Sequence, residues 1–307
     1  MLLRIAGLAL TLCVALSAQA KPEMNEPLND SILHQTDLPY QFSEIYLQAQ
    51  ADHARYHVWI AKPNRPAPPE GYPALFMLDG NAVLGSLNAH LLETLNAGAA
   101  PALVIVGYDS PLRIERRART YDYTTRYSAD EIQLDPLTGL PSGGAEEFLD
   151  WLAKDLKPEL AKRLPLDSRR QALWGHSYGG LLVLHALLTR PGEFDTYYTV
   201  SPSLWWGNGQ LLEQQEGLAR RFAGRHVCVH VARGKEEPAR PAPLENKPAP
   251  TSLSQQSAQE MVKRLEQIPG LTATYTEFSG MNHGAMFNTS LAWAAKNFSA
   301  KTPTCEL

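Results

Sequence analysis

The chain alternates short apolar runs with longer stretches in which apolar residues recur at helical spacing. The short runs are rich in β-branched and aromatic residues and predict strands at residues 42–50, 56–61, 72–78, 102–107, 171–174, 195–201, 226–232 and 272–278. The longer stretches predict helices at residues 83–96, 144–163, 179–189, 207–223, 253–267 and 288–298. Two opening strands joined by a short turn precede the alternation of strand and helix. This order predicts an α/β fold in which an antiparallel hairpin leads into a mostly parallel sheet with helices on both faces.

Two polar, proline-rich segments interrupt the alternation, at residues 62–73 and 235–250. Such composition is typical of surface loops. A domain boundary at the second segment would leave too few residues after it to build another core. We therefore predict a single α/β domain over residues 21–307.

The first residues, MLLRIAGLALTLCVALSAQA, have the pattern of a cleavable signal peptide that ends in Ala18-Gln19-Ala20. Their apolar stretch, residues 5–16, is shorter than a helix that spans a bilayer. We therefore expect export without a stable membrane anchor and a signal peptide at residues 1–20. Export permits disulfides, so a bridge between Cys228 and Cys305 and a pair of unpaired thiols both stay open.

Composition and net charge argue against a disordered chain and against a nucleic-acid-binding protein. The 307 residues are 44% hydrophobic and 20% charged, which is enough for a sizeable core and argues against disorder. Lysine and arginine together number 28 against 32 aspartates and glutamates, for a net charge of -4. A nucleic-acid partner usually goes with a clustered basic excess, so we exclude that class.

The junction between strand 171–174 and helix 179–189 reads GHSYG, with Ser177 at its centre. Serine between glycines is costly there, because glycine loses backbone entropy on folding and the serine hydroxyl competes for backbone partners. A nucleophile elbow explains the cost, since it exposes Ser177 Oγ above the sheet and uses the flanking glycines to avoid clashes with the neighbouring strand and helix. An ordinary glycine-rich turn is the alternative. The strand before it and the helix after it favour a catalytic serine.

A serine nucleophile in this arrangement needs a histidine further along the chain. His185, His226 and His230 lie within or beside predicted elements, where packing or hydrogen bonding is the common role. His283 lies instead in a glycine-flanked loop after the last predicted strand, at the carboxyl end of the sheet. We predict that His283 is the general base.

The acid that would orient His283 should follow strand 226–232, where Glu236 and Glu237 stand side by side. Either could serve. Both could also be solvated loop charges beside a serine-histidine dyad, and the sequence leaves these alternatives open.

The oxyanion hole needs two backbone N–H groups. One is predicted to belong to Tyr178, the residue after the nucleophile, and the other to the loop LDGNAVL that follows strand 72–78. We predict the amide of Asn81, with Gly80 as the alternative and Asp79 as a brace of the loop. A plain hairpin turn at Asp79 is disfavoured because a helix is predicted to follow.

The motifs MLDGNAVL, RTYDYT, GHSYGG, SPSLWW and MNHGAMFN occur in this order along nearly the whole predicted mature chain. In this the chain resembles the esterase D-like branch of the α/β-hydrolases, most closely the periplasmic ferric-enterobactin and salmochelin trilactone esterases. The resemblance implies an α/β-hydrolase fold, periplasmic location and trilactone ester hydrolysis. It also implies Ser177 as nucleophile and His283 as base, which in this family are often described as a dyad.

The segment LRIERRARTYDYTTR is predicted as a short loop that carries a cluster of arginines: Arg113, Arg116, Arg117, Arg119 and Arg126. A catecholate siderophore complex is anionic, and guanidinium groups offer planar charge-assisted donors that suit it. We predict substrate contacts from Arg119 and Arg117, and stacking on catechol rings by Tyr121 and Trp205. The alternative is a solvated basic loop beside buried tryptophans.

These residues together predict a periplasmic serine esterase that hydrolyses the trilactone of a catecholate siderophore. No metal or organic cofactor is expected, because iron would arrive as part of the substrate. Two alternatives are a secreted carboxylesterase for small acyl or feruloyl esters and a siderophore-binding protein with little turnover.

Overall fold

The computed structural model describes residues 25–48, 55–127, 132–213, 217–238 and 255–300. The predicted signal peptide lies outside these ranges, so export stays a prediction. Cys228 is disulfide-bonded. Cys305, the partner in one of the two alternatives that the sequence left open, lies outside the described residues.

The sheet has eight strands in the order β1-β2-β4-β3-β5-β6-β7-β8. Their bounds are β1 Tyr40–Leu47, β2 Tyr56–Pro63, β3 Tyr72–Met77, β4 Ala102–Tyr108, β5 Leu166–His176, β6 Thr196–Val200, β7 Val227–Gly234 and β8 Leu271–Phe278. Strand β2 is antiparallel to β1 and to β4, and every later pair is parallel. The predicted sheet is therefore confirmed, and only strand ends differ. Strand β5 begins five residues early because its first half is polar and partly exposed, so hydrophobicity does not mark it.

The helices are α1 Gly80–Leu84, α2 Ala89–Ala97, α3 Arg116–Tyr123, α4 Ala145–Trp151, α5 Lys157–Ala161, α6 Tyr178–Thr189, α7 Gln210–Glu213, α8 Leu218–Phe222, α9 Gln255–Leu265 and α10 His283–Phe298. Single-turn 3-10 helices lie at Ser31–His34 and Trp206–Gly209, and a π-helical turn, Leu152–Leu156, joins α4 to α5.

Three helix predictions and one loop prediction differ from the structure, each for a local reason. The helix predicted at 83–96 is two helices, because Asn88 caps the start of α2 by accepting a hydrogen bond from Leu91 N at 2.9 Å. The one predicted at 207–223 is broken by left-handed backbone at Gly207, Asn208 and Gly217.

The last helix starts five residues earlier than the predicted 288–298, at His283, since Asn282 caps it through a 2.9 Å bond from Ala285 N. The arginine-rich segment was predicted as a loop, and this was wrong. It contains helix α3, whose first turn is capped by Glu115 through a 2.7 Å bond from Ala118 N.

Every residue of β3 and β4 is buried, because helices cover both faces of the sheet. Helices α4 and α6 pack in the apolar cluster on one face, and α2 and α10 pack in the cluster on the other. Among the described residues no helix combines the length and apolar character that crossing a bilayer requires. Five parallel strands end along one edge of the sheet: β3, β5, β6, β7 and β8. The predicted catalytic residues follow the carboxyl ends of these strands and lie at this edge.

Candidate active site

Ser177 occupies the turn between β5 and α6 with φ 60° and ψ −115°, a backbone conformation that L-residues rarely adopt. Its N–H donates to Val200 O at 2.9 Å, which ties the turn to the end of β6. Strain of this kind persists only where the surroundings enforce it, and it clusters at active sites. The strand, turn and helix of a nucleophile elbow are therefore present at the predicted serine.

The glycines around Ser177 differ in what they make room for. A Cβ on Gly175 would lie 2.5 Å from the carbonyl carbon of Gly179, and one on Gly180 would lie 2.6 Å from Val200 O. A Cβ on Gly179 would meet nothing closer than 3.6 Å, which is ordinary contact. The prediction that both motif glycines relieve clashes is right for Gly175 and wrong for Gly179, whose following neighbour Gly180 makes the close approach.

This difference predicts opposite effects of alanine at the two motif positions. Gly175→Ala should lower the free energy of unfolding by about 1–3 kcal/mol, because backbone atoms must move to admit the methyl group. Gly179→Ala should be neutral or stabilising by up to about 1 kcal/mol, since alanine is the better helix former. Denaturant unfolding of both variants measures the two values, and equal destabilisation would contradict the steric assignment.

His283 lies at the first position of α10, with its imidazole between Ser177 and Glu237. Its Nε2 is 3.1 Å from Ser177 Oγ, and its Nδ1 is 3.2 Å from Glu237 Oε2. His185 and His230, which we set aside as bases, are hydrogen-bonded instead to Glu146 and Thr274. The structure thus brings the predicted nucleophile and base within hydrogen-bond distance.

Of the two adjacent glutamates, the structure places Glu237 against the histidine. The Glu237 side chain is only 4% exposed, and this burial by itself would raise its pKa. Hydrogen bonds from His283 and other donors together outweigh burial and hold the pKa below the usual value. Glu236 is exposed, and its Oε1 is 3.4 Å from Gly280 N. The geometry is that of a serine-histidine-glutamate triad, and the acid left open by the sequence corresponds to Glu237.

His176, the residue before the nucleophile, was not singled out in the sequence and adds a second contact to the base. Its ring is buried, and Nε2 donates to the backbone oxygen of His283 at 2.9 Å. Burial first, and then the nearby charges of His283 and Arg119, lower the pKa of His176 well below the ordinary value. A neutral His176 therefore anchors the start of α10 without placing a second cation beside the base.

The loop after β3 is held by an ion pair. Asp79 has left-handed backbone (φ 55°, ψ 44°), and its carboxylate accepts from Arg119 Nε at 2.6 Å and Arg119 Nη2 at 3.0 Å. The N–H of Asp79 donates to Tyr123 Oη at 3.1 Å. Asp79 is thus held by both its side chain and its main chain, which agrees with the predicted brace.

The predicted oxyanion amides belong to the first turns of two helices, where backbone N–H groups have no acceptor within the helix. Asn81 and its alternative Gly80 open α1, and Tyr178 opens α6. The Asn81 side chain accepts from Tyr108 N at 2.9 Å and donates to Tyr108 O and Ser110 O, so it fastens α1 to the end of β4. The choice of Asn81 and Tyr178 as oxyanion donors stays a prediction.

Arg119 and Arg117, the arginines predicted to contact substrate, have contrasting surroundings. Arg119 is 13% exposed and lies between the rings of Tyr123 and Tyr178, at 5.5 Å and 5.6 Å from their centroids. With two of its nitrogens bonded to Asp79, Arg119 has the placement of a brace for the loop after β3, and its contact with substrate stays a prediction. Arg117 is exposed.

The aromatic residues predicted to stack on substrate also have protein contacts. Tyr121 Oη donates to Glu147 Oε2 at 2.8 Å, and burial followed by this bond raises the pKa of Tyr121 to about 12. Trp205 is half-buried, with its ring 5.9 Å from that of Tyr178. Trp205 thus contacts Tyr178, the residue that follows the nucleophile. Within the described ranges, no group of three or more His, Cys, Asp or Glu side chains is arranged to hold a metal ion.

The sequence of this chain matches a family model and is similar to esterases of known name. The family model described as "Putative esterase" matches residues 50–298. The apo-salmochelin esterase of Escherichia coli O6:H1 is 33% identical over 296 residues, which cover 95% of this chain and 89% of that protein. The ferri-bacillibactin esterase BesA of Bacillus subtilis is 30% identical over 247 residues, covering 77% of this chain and 82% of that protein.

A solved structure with the same fold is described as the enterobactin hydrolase IroE in complex with DFP. It has a TM-score of 0.70 and 31% identity, and the match covers 88% of this chain and 99% of that one. The fold and the resemblance predicted from the sequence are thereby confirmed. The chain belongs to the putative esterase family and is a serine ester hydrolase with the α/β-hydrolase fold.

Proposed function

We propose that this chain is an exported, periplasmic esterase that opens the trilactone of an enterobactin-like catecholate siderophore, with iron carried by the substrate. The observation that carries the proposal is the continuous line from Ser177 Oγ through His283 to Glu237, with separations of 3.1 Å and 3.2 Å. The relatives named for salmochelin and bacillibactin support the substrate class. The signal-peptide pattern supports the location.

In the proposed mechanism Ser177 Oγ attacks a lactone carbonyl while His283 Nε2 takes the hydroxyl proton. The amides of Asn81 and Tyr178 stabilise the oxyanion of the tetrahedral intermediate. When the intermediate collapses, the carbon–oxygen bond of the ester breaks and the leaving alkoxide receives the proton from His283. Glu237 holds the imidazole in position and stabilises its charged form.

The leaving alcohol of a trilactone stays attached to the acyl group, because the ester lies within a ring. The first acyl-enzyme therefore carries the whole linear trimer on Ser177. Water, deprotonated by His283, then attacks the acyl carbon and releases the linear acid and the serine hydroxyl. Further cuts of the linear product would follow the same steps.

Arg113 is the arginine whose surroundings best suit a contact with an anionic substrate. Its side chain is 28% exposed and lies 5.5 Å from the centroid of Phe287, whose ring packs against His176. Arg113 pairs with the carboxylate of Glu26, at 3.4 Å, and the Glu26 side chain is itself 53% exposed. A guanidinium this close to the histidines and only loosely paired can exchange Glu26 for a catecholate oxygen.

Arg113→Gln is therefore expected to lower kcat/KM for a ferric catecholate siderophore by about tenfold, mainly through KM, because one charge-assisted hydrogen bond is lost. For an uncharged aryl ester the change should stay within about twofold. The control is Arg163→Gln, which removes an exposed arginine that pairs with Glu159 on α5. An equal loss on both substrates would show that Arg113 supports the site and does not recognise charge.

The substrate is tested by chromatography with mass detection of enterobactin, iron-free and iron-loaded, after incubation with the mature protein or its Ser177→Ala variant. Linear trimer, dimer or monomer formed only by the wild type would support the proposal and show how many esters are cut. Intact trilactone beside rapid cleavage of a simple aryl ester would point to a secreted carboxylesterase. Tight siderophore binding without product would point to a binding protein.

A further inference from the structure

Ser201, the first residue after β6, contacts the predicted catalytic acid from the side opposite the histidine. Its side chain is buried, and Oγ donates to Glu237 Oε1 at 2.5 Å. The N–H of Gly234 donates to the same oxygen at 2.9 Å. The other oxygen, Oε2, faces His283, so the two oxygens of Glu237 have separate partners.

The backbone of Ser201 is in a conformation that serine rarely adopts. Its φ is 43°, in the left-handed region, and the next residue is Pro202, which favours extended backbone in the residue before it. Its N–H donates to Ala232 O at 2.8 Å and so links the ends of β6 and β7. Glycine would adopt this conformation at lower cost. A serine here is unfavourable for the backbone, so its side chain is the feature that needs an explanation.

We propose that Ser201 is a positioning residue that holds Glu237 in the orientation in which Oε2 faces His283 Nδ1. Without the hydroxyl, one oxygen of a buried carboxylate keeps only the Gly234 amide, and the group can rotate away from the imidazole. The inference rests on the proposed roles of Ser177, His283 and Glu237. It does not depend on which ester is the substrate.

An arginine and a tyrosine also lie near Glu237 and bear on its protonation. Arg233, at the end of β7, has its Nε 3.9 Å from Oε2, and Tyr275 on β8 is close enough to interact with the carboxylate electrostatically. These neighbours and the Gly234 amide remain when Ser201 is changed. A carboxylate that loses one donor binds a proton more readily, so the part of the acidic limb of the pH–rate profile that comes from protonation of Glu237 should move to higher pH.

The test compares Ser201→Gly and Ser201→Ala with the wild type in hydrolysis of an uncharged aryl ester, over a pH range that covers the titration of both carboxylates and histidine. We expect both variants to lose about tenfold or more in kcat with KM little changed, and both to show the shifted acidic limb. Ser201→Gly relieves the backbone strain while removing the hydroxyl, so it serves even if Ser201→Ala folds poorly. Full activity in Ser201→Gly would overturn the proposal.

A double-mutant cycle separates action through Glu237 from a general structural effect. In a Glu237→Ala background, Ser201→Gly should cost nothing further, because the group that it positions is gone. A loss that multiplies with that of Glu237→Ala would overturn the proposal. The matched control is Ser299→Ala, which removes a buried hydroxyl bonded to Leu95 O at 2.9 Å at the far end of α10 and should keep the wild-type profile. Failure of the proposed function would be recognised separately, because Ser177→Ala would then retain esterase activity.

Discussion

Alanine at position 177 is expected to lower kcat for ester hydrolysis by at least about 10⁴-fold, because it removes the atom that forms the acyl-enzyme. The substitution leaves the backbone conformation at φ 60° and the hydrogen bond from the 177 N–H to Val200 O in place. The free energy of unfolding should therefore change by less than about 1 kcal/mol. Initial rates on an aryl ester and denaturant unfolding measure the two quantities.

Covalent labelling gives an independent control for this prediction. A fluorophosphonate should add one phosphonyl group to the wild type, on the peptide that contains Ser177, and none to Ser177→Ala. Labelling depends on the base as well, so His283→Ala should also react slowly. Persistent labelling or substantial turnover in Ser177→Ala would mean that another residue is the nucleophile.

Glu237→Gln is expected to lower kcat by about 10²- to 10⁴-fold, since a neutral amide cannot stabilise the charged imidazole and can favour the wrong tautomer. The adjacent Glu236→Gln is the matched control, because it makes the same chemical change on an exposed side chain. It should retain activity within about twofold. Steady-state kinetics on an aryl ester measure both variants.

The outcome separates a triad from a dyad. Near-normal activity in Glu237→Gln would show that Ser177 and His283 work without the carboxylate, as the family resemblance implied. Comparable losses in Glu236→Gln and Glu237→Gln would show that the loop as a whole, and not one carboxylate, supports the base. The 3.2 Å contact and the burial of Glu237 favour the triad.

The architecture could be predicted from the sequence because it depends on local patterns. Runs of β-branched and aromatic residues marked the strands, and their alternation with helices indicated a mostly parallel sheet behind an antiparallel hairpin. The position of β4 between β2 and β3 was not predicted and comes from the structure. The helix and loop predictions were wrong where a capping residue or a residue with left-handed backbone determined where a helix begins or ends. Glu115 starts helix α3 in a segment whose charge suggested a loop, and Asn208 interrupts a stretch with helical periodicity.

The sequence alone determined which residues are chemically able to act: a serine in an elbow, a histidine after the last strand and two candidate acids. Only the tertiary structure decided how they are paired. It placed Glu237 rather than Glu236 beside His283, bound Arg119 to an aspartate 40 residues away, and set Ser201 against the acid. The reason is physical, because periodicity reports local conformation and burial, whereas these contacts depend on distant segments meeting at one edge of the sheet.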